Sequence, residues 1–242
     1  MPTRRDVLRG LGAAAVPLAG LSTVGTASAT SDRLAEETPE YVTRTYDAAL
    51  LERWQPRLRI SHLDIQPHST YAYVTRSNEA ETAALSYWHT YRGQNGVVGA
   101  DSHFGDNEPV VLYVDEATGE LIEVAYSAYH WFAGRTTSPP TDGEGRPQFR
   151  AVNPWHNHTV TTETGQLVEL RHLSDDELSN RLRNEWPIHV PAIARPWVMR
   201  RRSDWWADDT LGPFSIERTL QRAYLAAGLF GADKVDSDNL AT

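Results

Sequence analysis

The chain has 242 residues, with 32 acidic against 23 basic side chains and a formal net charge of −9. That balance excludes a basic nucleic-acid-binding face. The absence of cysteine excludes disulfide staples, zinc–thiolate sites and a thiol nucleophile.

Residues 1–29 read as a twin-arginine export signal. Arg4 and Arg5 precede an apolar run over 10–21 that is too short to span a bilayer, and Ala27-Ser-Ala29 is a small-residue cleavage site. The expected location is extracellular, with no transmembrane segment. Cleavage removes Arg4, Arg5, Arg9 and Asp6, a net +2, so the charge of the mature chain falls from −9 to −11. The remainder, 30–242, has the length of one globular domain. A single lysine, Lys234, stands among the 23 basic residues, and this acidic, lysine-poor composition points to a halophilic protein.

Residues 31–39 are polar and read as a loose lead. Apolar residues at helical spacing predict a helix over 46–55, stopped by Pro56. Short strands are expected at 58–60 and 71–75, with His62, Asp64 and His68 as loop residues between them. Leu85, Tyr87, Trp88 and Tyr91 mark a strand over 83–91, on which His89 reads as a packed or surface residue. The glycine-rich stretch 93–99 follows. It lacks the strand–loop–helix order of a phosphate-binding loop.

The chemistry concentrates in 101–108, Asp-Ser-His-Phe-Gly-Asp-Asn-Glu. On a strand Asp106 and Glu108 lie two apart and share a face. His103 is an odd number of positions away, and Gly105, free to take a positive φ, supplies a kink that turns it inward. Residues 106–130 then read as a β-hairpin. A three-residue loop over 117–119 pairs Glu116 with Glu120 and brings Asp106 opposite His130. A two-residue loop would turn His130 to the other face.

Residues 102–108, Ser-His-Phe-Gly-Asp-Asn-Glu, resemble the Gly-His-Arg-His-Asp-Trp-Glu heptapeptide of the necrosis- and ethylene-inducing-like proteins. They also resemble the His-x-Gly-Asp-Trp-Glu signature of the related vacuolar-sorting-type proteins. The aromatic segment 86–91 before the motif and Ser127-Ala-Tyr-His130 after it extend the likeness over about residues 54–160. The resemblance implies a secreted β-sandwich holding a divalent cation, here through His103, Asp106, Glu108 and His130. Asp101 and His158 (or His156) are additional candidates. Asn107 replaces the motif's Trp, and Gln94 and Asn95 stand where the toxin branch carries a further Asp.

Residues 134–147 form a Pro- and Gly-rich loop, and 149–152 a strand ending at Asn153-Pro-Trp-His-Asn-His158. Ser174-Asp-Asp-Glu177 is a capping box that opens a helix to about 186, and a second helix covers 216–230. Residues 200–206, Arg-Arg-Arg-Ser-Asp-Trp-Trp, read as an ion-paired turn beside Asp208 and Asp209, with a seat for an anionic group beneath stacked indoles as the alternative. The expected fold is mainly β, a β-sandwich with peripheral helices that include these two C-terminal ones. Three functions stay open. In the first, a divalent cation (Mg, Ca or Mn rather than Zn) orients a small polar ligand or head group. In the second, the same cluster serves a metal-dependent hydrolase with Glu108 or His130 as general base. In the third, it is a structural hydrogen-bond network without metal.

Overall fold

Residues 109–114, Pro-Val-Val-Leu-Tyr-Val, show no polar alternation, the mark of a strand covered on both faces. The computed structural model describes residues 28–96, 102–129, 132–184, 186, 189–200, 216–229, 231–235 and 237–240. They form a mainly β, sandwich-like fold. In the large sheet β1 (Val42–Thr45), β3 (Ser69–Ser77), β4 (Ala83–Gln94), β5 (His103–Asp115), β6 (Glu120–Tyr129) and β7 (Phe132–Thr136) lie in that order, each antiparallel to its neighbour. β10 (Leu170–His172) joins the same sheet in parallel along β3. A small sheet pairs β2 (Arg57–Arg59) in parallel with β8 (Gln148–Ala151), and β8 with β9 (His158–Val160).

The large sheet is covered twice. Leu58, Phe149 and Ala151 of the small sheet pack on Leu85, Tyr87, Val110, Leu112 and Tyr126. The opposite face carries Trp88, Val111 and Tyr113. It packs against helices α1 (Ser28–Glu37), α3 (Asp175–Asn184) and α4 (Val190–Ala194) through Leu34, Leu178, Leu182 and Ile193. Trp88 stacks on Trp186 at 4.9 Å, and the Tyr113 hydroxyl donates to the Pro196 carbonyl at 2.6 Å. Pro109, with no N–H to donate, sits just before Val110, where pairing with β6 begins.

Helix α2 (Ala48–Trp54) falls inside the predicted 46–55, capped by Asp47, whose Oδ1 accepts from the Leu50 N–H at 3.1 Å. Ser174 caps α3 as expected, its hydroxyl accepting from Glu177 N–H at 3.2 Å. Helix α5 (Ile216–Ala227) stops short of the predicted 230, at Gly228 with φ of 64°. Among the described residues no helix is long and apolar enough to cross a membrane.

Four expectations need correction. Residues 31–39 are not a loose lead: most belong to α1, because Leu34 is buried against the helical layer. β4 runs on through Gln94 into the predicted glycine-rich loop. It does so because Gly93 lies against the His103 carbonyl, where a Cβ would come within 2.8 Å. β7 takes residues 134–136 from the predicted 134–147 loop. The hairpin turn holds four residues, with Asp115 opposite Glu120 and Gly119 at φ of 71°. Asp115 Oδ1 accepts from the N–H groups of Ala117 and Thr118 and stabilises this longer turn. A bulge beside Tyr113 then restores the predicted register, so that Tyr113 faces Glu123 and Val110 faces Tyr126. Residues 1–27 of the expected 1–29 export signal, Asp101, His130 and the turn beyond Arg200 lie outside the described residues.

Candidate functional site

Strand register builds the site at one end of the inter-sheet space. Thr70, His89 and Glu108 stand side by side across β3, β4 and β5, and Tyr91 stands beside Asp106. The period of two puts His89, Tyr91, Asp106 and Glu108 on the face shared by Tyr87 and Val110, toward the small sheet. From that sheet His158 opens β9, and the turn before it delivers His156.

His156 adopts a φ of 61°, a left-handed conformation that costs a non-glycine residue energy. Three contacts hold it there. Its N–H donates to the Val152 carbonyl at 2.7 Å, and its ring lies flat on Tyr91, with centroids 3.9 Å apart and an interplanar angle of 3°. Its Nδ1 lies 2.7 Å from Asp106 Oδ2. The next residue, Asn157, donates from its amide to the Ala128 carbonyl at 2.5 Å and ties the turn to β6.

None of these six side chains belongs to a residue more than 8% exposed, so water screens them little. Burial, and then the charge of Asp106, raises the Glu108 carboxyl well above its ordinary range, and the nearby Ser127 hydroxyl opposes that shift. Burial and the two carboxylates raise the Tyr91 phenol. Burial lowers His89 to about 3. It also lowers His158 well below the usual imidazole range, with His89 and His156 adding to the effect. His89 and His158 are thereby neutral at physiological pH. His89 is oriented by a 2.8 Å hydrogen bond between Nδ1 and Thr70 Oγ1, and its ring stands edge-on to His158 at 5.3 Å.

Several polar atoms here have no partner among the described residues: Glu108 Oε2, the Tyr91 hydroxyl, His89 Nε2 and both ring nitrogens of His158. Such atoms mark a place where an incoming polar group or ion gains much. Among the described residues no three His, Asp or Glu side chains converge closely enough to hold a metal as they stand. What they provide is a pair of carboxylates.

Asp106 and Glu108 share a face, as their spacing predicted, and His158 lies in the same cluster. Gly105 takes the anticipated positive φ of 70°, yet His103 sits exposed at the rim with Nδ1 2.9 Å from the Gly105 carbonyl. Phe104 beside it is fully exposed. Sequence reasoning missed His89 and Tyr91 as members of the site and named His156 only as an alternative to His158. The alternation of Tyr87, His89 and Tyr91 carried a usable signal. The left-handed turn at His156 carried none.

No protein-family profile matches the chain, and no curated protein does. Among solved structures the chain is similar to NLPPya in complex with mannosamine, at 19% identity and a TM-score of 0.44, over 56% of this chain and 76% of that one. It is also similar to Necrosis and Ethylene inducing Protein 2 from the causal agent of cocoa's Witches Broom disease. There the identity is 15% and the TM-score 0.47, over 77% and 93% of the two chains. A third is the non-toxic HaNLP3 protein, at 13% identity and a TM-score of 0.40. The second of these carries the name of the group that residues 102–108 resemble. With each TM-score below 0.5, the likeness bears on neither ligand nor activity.

Proposed function

We propose that this chain binds a divalent cation on Asp106 and Glu108 and, through it, a hydroxyl-rich polar ligand outside the cell. The observation that carries the proposal is the buried carboxylate pair, one member of which, Glu108, keeps an oxygen without a partner. Two carboxylates this close repel, and either a proton or a cation must relieve them. A hard ion such as magnesium needs only one or two carboxylates and keeps waters in its other positions. Two carboxylates without a third ligand suit that chemistry better than they suit a closed zinc cage. The ion supplies exchangeable positions that ligand hydroxyls can take.

The chain's own residues do the rest. His156, stacked on Tyr91, fixes the Asp106 carboxylate, while burial keeps His89 and His158 uncharged so that they do not compete with the cation. His103 and His130 remain proposed as further ligands, and the segment 1–29 as the export signal that takes the protein outside. Thermal melts with chelator and with magnesium, on wild type and Asp106→Asn, test the reading. Magnesium should raise the wild-type Tm, and Asp106→Asn should remove most of that rise without unfolding the chelated protein. No rise in wild type would leave the cluster as a hydrogen-bond network.

A further inference from the structure

The opposite end of the large sheet carries a second built site. Thr82, just before β4, stands seven positions from His89 within it, about 23 Å at the rise of a strand. Here the ends of β3, β5 and β7, with the segment 195–200, enclose a cavity of about 720 Å³, within the size range of small-molecule sites.

Its floor is Glu123, only 4% exposed. Arg135 Nε bonds Glu123 Oε1, and Arg200 Nε bonds Glu123 Oε2 at 2.9 Å. Each guanidinium spends only its Nε there, and the two side chains stay 40% and 30% exposed. Both side chains line the cavity, and the Arg200 guanidinium also lies over the Tyr113 ring at 4.7 Å. Arg195, exposed on the same side, adds a third guanidinium. One carboxylate against three guanidiniums leaves this group cationic, while Asp115, Glu79 and Glu81 bring the whole lining to four carboxylates and three guanidiniums. Arginine forks in this arrangement recognise carboxylate or phosphate oxygens.

The rest of the lining has the opposite charge. Glu79 and Glu81 come from the β3–β4 turn, and the rings of Tyr41 and Trp197 line the same cavity. Thr82, 8% exposed, and Trp197 hold a hydroxyl and an indole N–H without partners among the described residues. Carboxylates beside aromatic faces suit an ammonium group. A plain anion would be attracted to the guanidiniums and repelled by the carboxylates.

We infer that this cavity binds a small zwitterion, with its oxyanion on Arg135, Arg195 and Arg200 and its ammonium toward Glu79 and Glu81. The oxyanion can be a phosphate or a carboxylate, and the probes separate them. Calorimetric titrations of the full chain would use phosphoethanolamine and β-alanine, with inorganic phosphate and ethanolamine as half-ligands. At least one zwitterion should bind about tenfold more tightly than either half-ligand, a ratio in keeping with one charge-assisted contact. Arg195→Gln and Glu81→Gln alter exposed side chains that make no ion pair among the described residues, and each should weaken that binding about tenfold. Asp106→Asn, at the far end, should leave it unchanged. Inorganic phosphate binding as tightly as phosphoethanolamine, or binding untouched by Glu81→Gln, would overturn the inference. So would failure of both zwitterions to bind the folded protein.

Discussion

Glu108→Gln isolates the cost of the buried carboxylate pair. In chelator the Glu108 carboxyl is held well above its ordinary 4.5 by burial and then by Asp106. A group whose pKa is raised on folding contributes its stability below the unfolded value, and that contribution is lost as pH rises through the folded one. Wild type therefore loses this contribution from about pH 4.5 upward, while glutamine has nothing to titrate. At about 1.4 kcal/mol per unit, the roughly 3.5 units up to pH 8 set a ceiling near 5 kcal/mol. The variant should then exceed chelated wild type at pH 8 by up to that ceiling, at most roughly 10–20 °C in Tm, and by nothing near pH 4.5. With excess magnesium the gap narrows, by about 2.7 kcal/mol at a hundredfold excess over the dissociation constant, because only wild type gains from the ion. Circular dichroism melts at both pH values, in chelator and in magnesium, read this out. A variant destabilised equally at pH 4.5 and pH 8 would refute the reasoning.

Three further outcomes follow from the same geometry. His156→Ala removes the partner of Asp106 and the stack on Tyr91, and should cost about 2 kcal/mol in urea unfolding while blunting the magnesium response. Burial holds His89 and His189 at about 3 and lowers His158 in the same direction. A depressed imidazole pKa contributes stability above the unfolded 6.5 that is lost as pH falls toward the folded value. Urea midpoints should therefore drop between pH 6.5 and 4.5, the three imidazoles outweighing the one carboxyl that runs the other way, and a flat profile would contradict this. Gly134→Ala would place a Cβ within 2.4 Å of the Tyr126 ring and should cost about 1–3 kcal/mol, measured in the same unfolding assay.

Much of the large sheet could be read from the chain because local rules act there without competition. Asp106 and Glu108 share a face by the period of two alone. The position of the hairpin was legible from turn composition between two apolar runs. Its loop length was not, since Asp115 accepts two backbone N–H groups and stabilises a longer turn, and the bulge at Tyr113 then cancels the error downstream. His89 escaped because its role depends on the register with Thr70 and Glu108 on two other strands. His156 escaped because long-range contacts impose its backbone conformation. Helix α1 was missed since one buried leucine, Leu34, decides its docking and its composition is otherwise that of a solvated lead.

Titration calorimetry of magnesium into chelator-stripped protein tests the central claim most directly. The account predicts one ion bound per chain in wild type, with affinity rising from pH 5.5 to pH 8 as Glu108 gives up its proton, and no binding in Asp106→Asn. Wild type that binds no magnesium, calcium or manganese at pH 8, or Asp106→Asn that binds as wild type does, would contradict it.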